Sequence, residues 1–199
     1  MGERYVFIDR DGVLNKDPGG WTEHGYVTRW EDMHILPGVR EAVDLFHRSG
    51  YRVVVISNQQ GVGKGYFSEE DLACLSERVS DALMTPSGRI EDFYYCTHLK
   101  EERCACRKPE SGLFDVARED LGIRDAGDMY YIGDTLSDVR AGRGAGLRTV
   151  TVLSGKASRE DVKGWEVKPD MVCRDLLEAA RTILETGNAR TFRKDRGEK

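Results

Sequence analysis

The chain has 199 residues, 39% of them hydrophobic and 33% charged, a length and balance that bury a core without disulfide or oligomer support and suit one domain. Lys plus Arg total 30 against 35 for Asp plus Glu, a formal net charge of -5, which argues against the broad basic face of a nucleic-acid binder. The longest apolar run, 53–56, falls far short of the roughly 20 residues a membrane span needs, and residues 1–8 lack a secretory apolar core, so a cytoplasmic protein without membrane contact is expected.

In chain order, short β-rich runs alternate with helical patterns, the rhythm of an α/β protein. A first strand at 5–8 runs into Asp9-Arg10-Asp11-Gly12; carboxylates at i and i+2 can converge on one site as a strand ends, although such a pair also suits a solvated turn. Pro37 stands ahead of an apolar stripe at Val39, Ala42, Val43 and Phe46, and Gly50 follows as a stop. The second strand, 52–56, leads to Ser57-Asn58-Gln59, neutral groups where an anion could dock or where the chain simply turns. Ser68 can cap a helix carrying Leu72, Leu75, Val79 and Leu83, with Asp71 as its capping-box partner. After a third strand at 92–95 come a cysteine-rich loop and Arg107-Lys108-Pro109, two cations able to hold a phosphate just before a helix at 113–121. A fourth strand, 129–132, ends in Gly133-Asp134-Thr135-Leu136-Ser137-Asp138 at the start of a helix over 136–145. Asp134 can complete an oxygen-rich cation site; acidic residues here also suit a helix N-terminus. A fifth strand at 148–152, a weaker sixth at 171–173 and a helix at 176–184 complete the pattern. The expected architecture is a Rossmann-like three-layer sandwich with a mainly parallel sheet, one domain over 1–186 and a flexible polar tail over 187–199.

Carboxylates, a hydroxyl, a cation and another carboxylate thus stand in order at successive strand ends. Asp9-x-Asp11-Gly12, Ser57-Asn58, Lys108 and Gly133-Asp134-x-x-x-Asp138 resemble the four motifs of the haloacid dehalogenase superfamily of phosphohydrolases, over residues 5–153. The resemblance implies a Mg²⁺-dependent phosphomonoesterase acting on a small phosphorylated metabolite. It makes Asp9 the nucleophile that forms an aspartyl-phosphate, and Asp11 the general acid and then base. Asp9, the Asp11 carbonyl and Asp134 would ligate Mg²⁺, with Asp138 behind them; Ser57, Asn58 and Lys108 would hold the phosphoryl group, and Gln59 would also bind substrate.

Cys96-x-His98-x5-Cys104-x-Cys106 offers three thiolates and an imidazole within one short loop, the makeup of a closed structural Zn²⁺ site. The polar stretch 99–103 between the ligands is a poor alternative core, and Cys106 directly precedes Arg107 and Lys108. Cys74 and Cys173 read as small buried hydrophobes.

A zinc loop inside these motifs is similar to the group holding heptose bisphosphate and histidinol-phosphate phosphatases. Gly25-Tyr26-Val27 and the run from Ser57 to Gly65 lean to the heptose side, implying 7-phosphate hydrolysis of D-glycero-D-manno-heptose 1,7-bisphosphate. The x5 spacing matches the histidinol type, and the first loop is lengthened over 16–23. No intervening stretch could house a large cap domain, so Gly25, Tyr26, Lys64 and the zinc loop would form the substrate rim, with Arg107 facing a second anionic or hydroxylated group. His24 and His34 are given no role. A monomer is expected. A non-catalytic zinc-stabilised interaction module is the alternative of another class, disfavoured by the paired Asp9 and Asp11.

Overall fold

The computed structural model describes residues 4–124 and 129–195, with side chains through residue 186. Six strands, β1 (Arg4–Ile8), β2 (Tyr51–Asn58), β3 (Asp92–Cys96), β4 (Tyr130–Gly133), β5 (Arg148–Val152) and β6 (Met171–Cys173), form one parallel sheet in the order β3-β2-β1-β4-β5-β6. The chain winds outward from β1 in both directions, so the order reverses between β1 and β4. A crevice opens there beyond the carboxyl ends of the strands.

Side-chain alternation along the strands builds two cores. Val6, Ile8, Val53, Val55, Tyr130 and Ile132 face α1 (Val39–Arg48), α2 (Glu69–Leu83) and α6 (Leu176–Asp195). Tyr5, Phe7, Val54, Ile56 and Tyr131 face α3 (Gly112–Asp120) and α4 (Leu136–Gly144). Each large apolar side chain buried this way contributes about 1.5–3 kcal/mol, which explains why these central strands read as continuous apolar runs.

The Ser68 capping box forms in both directions: Asp71 N donates to Ser68 Oγ at 3.0 Å, and Ser68 N to Asp71 Oδ2 at 2.9 Å. A second box, Ser158 with Asp161, starts α5 (Arg159–Gly164), a helix too short to show an apolar period. The backbone of α6 continues past the expected end at 184 to Asp195, into the stretch expected to be a tail; residues 196–199 lie outside those described.

The connection from β1 to α1 folds down rather than out. Val13, Leu14, Val27 and Met33 are buried, and Lys16 N and Leu36 N bond back to His34 O and Leu14 O. Among the described residues there is no separate cap over the strand ends, and no helix is long and apolar enough to cross a membrane.

Candidate active site

Asp9 follows β1, its N–H bonded to Ile132 O of β4 at 2.8 Å. This bond across the reversal point fixes the buried carboxylate at the floor of the crevice. Asp9 Oδ2 lies 2.9 Å from Lys108 Nζ, and Oδ1 accepts the Arg10 N–H at 2.7 Å. Lys108 also reaches Asp138 Oδ1 at 2.7 Å. Burial, opposed by Lys108 and aided by the nearby Asp138 charge, pushes Asp9 up to about 6. Burial acts against the Lys108 charge too, but Asp138 and Asp9 override it and hold the ammonium in its charged form.

Asp134, at the end of β4, is enclosed by two glycines. A Cβ on Gly12 would fall 2.4 Å, and one on Gly155 2.0 Å, from Asp134 Oδ2. Gly12 also has φ +82, a conformation that favours glycine. Lys156 N donates to the same oxygen at 2.7 Å. Burial and the charges of Asp138 and Asp9 push Asp134 up to about 8.

Carboxylate oxygens of Asp9, Asp134 and Asp138 lie within 4.8 Å of one another. Such crowding, with ionisation suppressed at two of the three, is a donor set suited to a divalent cation. Asp138 is the member committed elsewhere. Its Oδ1 pairs with Lys108 and accepts from Tyr131, and its Oδ2 accepts from Thr135 N at 3.0 Å and Thr135 Oγ1 at 2.5 Å.

Asp11 is turned toward Arg10. The guanidinium forks onto both carboxylate oxygens at 3.1 Å, while Asn15 Nδ2 and Gln59 Nε2 each donate at 2.9 Å. Burial alone would raise Asp11; these four bonds, led by Arg10, hold it below the usual carboxylate range. Its side chain is therefore bound up with Arg10 rather than with the Asp9, Asp134 and Asp138 group.

At the end of β2, Ser57 bonds Asp9 and lines the cavity. Asn58 also lines it, but its amide clasps the Lys108 backbone, donating to Lys108 O and accepting from Lys108 N, both at 3.1 Å. Gln59 does not line it. It is fully buried behind Asp11, split between Arg10 and Asp11.

Above this floor is a cavity of about 290 Å³. Gly25, Tyr26, Lys64 and Arg107 line it, as does Lys156, whose Nζ pairs with Asp17 Oδ2 at 3.2 Å. Arg107 keeps one buried guanidinium nitrogen without a hydrogen-bond partner. The lengthened first loop gives Asp17 and Pro18 to one wall; beside it His24 stacks on Tyr66 with ring centroids 4.1 Å apart, and Lys64 lies over Tyr26 and Tyr66. A larger cavity, about 740 Å³, runs between α2 and β3 and contains none of the motif residues.

Cys96, His98, Cys104 and Cys106 also converge, with S–S separations of 3.5 and 3.4 Å and S–N separations of 3.7 and 3.2 Å. Zinc bonded to thiolate and imidazole spans tetrahedral edges of about 3.5–3.8 Å, so the cluster could hold that ion. Burial and the neighbouring thiols push Cys106 up to about 12, a crowding that a cation would relieve. Of the two cysteines expected in the core, Cys173 is buried, whereas Cys74 falls on the solvent side of α2 and is exposed.

Sequence reading missed Arg10, Asn15, Tyr131, Gly155 and Lys156. Arg10 lies between two motif carboxylates and Tyr131 reads as one more apolar strand residue. Gly155 and Lys156 follow the fifth strand, whose carboxyl end carries no motif of its own.

The family described as HAD-hydrolase-like matches residues 105–179. The D-glycero-beta-D-manno-heptose-1,7-bisphosphate 7-phosphatase of Haemophilus ducreyi is 38% identical over 186 residues, covering 89% of this chain and 97% of that protein. The chain belongs to the haloacid dehalogenase-like phosphatases. The like-named protein of Pasteurella multocida is 35% identical over 168 residues, 81% of this chain and 88% of its own. The crystal structure of D,D-heptose 1,7-bisphosphate phosphatase from B. bronchiseptica, complexed with magnesium and phosphate, aligns with a TM-score of 0.82 at 27% identity, covering 92% of this chain and 99% of that one.

Proposed function

We propose that this phosphatase removes the 7-phosphate of D-glycero-D-manno-heptose 1,7-bisphosphate through an aspartyl-phosphate on Asp9. The observation that carries this reading is the buried Asp9–Lys108 pair on the floor of a cavity whose rim bears Lys64 and Arg107, in a chain 38% identical to a phosphatase named for that substrate.

An Asp9 oxygen attacks phosphorus as the bond to the leaving sugar oxygen breaks, and Asp11 protonates that oxygen. Water then attacks the aspartyl-phosphate, with Asp11 taking its proton and Asp9 released as carboxylate. The clamp keeps Asp11 ionised, the form the second duty needs; acid duty requires the carboxyl, which already borders the cavity, to give up the Arg10 fork and take a proton. Ser57 and Lys108 hold the phosphoryl group, and Asn58 and Gln59 act indirectly, through Lys108 and Asp11. Asp9, the Asp11 carbonyl and Asp134 would hold Mg²⁺, which when bound neutralises phosphoryl oxygens against an anionic nucleophile. Cys96, His98, Cys104 and Cys106 would hold a structural Zn²⁺ that fixes the loop ending at Lys108. The unpartnered Arg107 nitrogen suits the second anionic group of a bisphosphate.

The test is a phosphate-release panel with both anomers of the heptose bisphosphate, histidinol phosphate and p-nitrophenyl phosphate. One heptose bisphosphate anomer should lead in kcat/KM. Preference for histidinol phosphate, or equal weak activity on all four, would refute the substrate assignment.

A further inference from the structure

Tyr131 stands in the middle of β4, fully buried, its ring edge-on to Phe114 with centroids 4.8 Å apart. Its hydroxyl lies 2.6 Å from Lys108 Nζ, 2.9 Å from Asp138 Oδ1 and 3.2 Å from Ile56 O. Lys108 Nζ in turn lies within reach of Asp9 Oδ2 at 2.9 Å, Asp138 Oδ1 at 2.7 Å and Ile56 O at 3.2 Å.

An ammonium brings three protons and a phenol one. Against these four donors stand four acceptors: Asp9, Asp138, the Ile56 carbonyl and the phenol oxygen. Every proton has a place when Lys108 serves Asp9, the Ile56 carbonyl and the phenol oxygen while Tyr131 serves Asp138, the shorter of its two contacts as donor. A phosphoryl oxygen arriving over Asp9 is a fifth acceptor, and Lys108 has no N–H left for it.

We propose that Tyr131 is a positioning residue whose hydroxyl, by serving Asp138 in place of Lys108, leaves one Lys108 N–H, the one resting on the phenol oxygen, for the transferring phosphoryl group. When the phosphoryl group arrives, Lys108 serves Asp9, Ile56 O and the phosphoryl oxygen, and Tyr131 still serves Asp138. The group left without a donor is the phenol oxygen, a weaker acceptor than a buried carboxylate or backbone carbonyl. The exchange redirects one N–H of the ammonium from the phenol oxygen to the phosphoryl oxygen and changes no proton's owner. Without the hydroxyl, Lys108 can reach the phosphoryl oxygen only by dropping Asp9 Oδ2, the Ile56 carbonyl or Asp138 Oδ1, the Asp138 oxygen that Thr135 does not serve, which is costly.

The inference rests on the phosphatase reading and is independent of which sugar is the substrate. The test compares the full chain with Tyr131→Phe, which keeps the ring, and Tyr131→Met, which fills the volume with a pliable side chain. Turnover is measured at saturating Mg²⁺ on the best substrate of the panel, with inhibition by orthovanadate and by inorganic phosphate. Both variants should lose about tenfold in kcat, about 1.4 kcal/mol, with KM within about twofold. Vanadate, which takes the transition-state shape, should weaken by a similar factor, and inorganic phosphate by less than twofold. Wild-type kcat and vanadate inhibition in either folded variant would overturn the proposal. So would parallel losses of vanadate and phosphate affinity with a lowered unfolding midpoint, because the tyrosine would then only pack. A wild-type chain without turnover on any ester would overturn the phosphatase reading as well.

Discussion

Alanine at Gly155 should disable the enzyme without unfolding it. Its Cβ would stand 2.0 Å from Asp134 Oδ2, 2.5 Å from Cγ and 2.6 Å from Cβ. Recovering even a tight 3.0 Å contact moves the carboxylate by about 1 Å, a misplacement that costs about 10²-fold at a reacting centre. Gly155 is not among the glycines with positive φ, so an alanine adopts this backbone without strain and the perturbation stays at the contact. Asp134 cannot move without disturbing the bond from Lys156 N at 2.7 Å. We expect kcat/KM to fall about 10²-fold, about 2.7 kcal/mol, with a matching rise in the Mg²⁺ concentration for half-maximal activity. Steady-state phosphate release over a Mg²⁺ titration measures both, and thermal unfolding checks the fold. Gly164→Ala is the control, since a Cβ there meets nothing within 4 Å and activity should not change. A folded Gly155→Ala enzyme within threefold of wild type at limiting Mg²⁺ would refute the placement of Asp134.

Asp9→Asn should abolish phosphate release while leaving circular dichroism unchanged; retained turnover would exclude the covalent route. Cys106→Ser should lower zinc, measured by elemental analysis, from about one per chain to a small fraction. It should also lower kcat, because Arg107 and Lys108 follow directly; full activity in the zinc-poor variant would separate the loop from catalysis. The pH dependence has a definite sign: Asp134 stays protonated in the fold to about 8 but ionises near 3.8 when unfolded. The metal-free protein therefore loses that group's contribution to stability as pH rises from about 4 to 8. Mg²⁺ needs the ionised carboxylates, so its elevation of the unfolding midpoint should grow from pH 6 to pH 8. An equal elevation at both would contradict the crowding of Asp9, Asp134 and Asp138.

The layered fold and the four strand-end motifs were legible in the sequence because both follow from local pattern. Strands with two buried faces are apolar throughout, and a reacting centre must lie where those strands stop. What the sequence could not show was the direction in which a side chain points. Asn58 and Gln59 follow Ser57 in one polar run, yet only Ser57 addresses Asp9; Asn58 braces a loop fifty residues away, and Gln59 turns behind the floor. Tyr131 looked like any β-rich core residue because its hydroxyl has partners from β2, α4 and the zinc loop, which nothing local announces. Gly155 owes its identity to the carboxylate facing it, a contact that spans two strand ends.

The clasp between Asn58 and the Lys108 backbone makes a single amide informative. Lys108 N–H is donated to a side-chain oxygen at 3.1 Å, outside the sheet's own ladder. Its hydrogen exchange therefore reports when the loop carrying the lysine leaves the end of β2, separately from the opening of the sheet. Followed with and without zinc, that one rate would show how often the folded protein sits with the Lys108 ammonium away from Asp9.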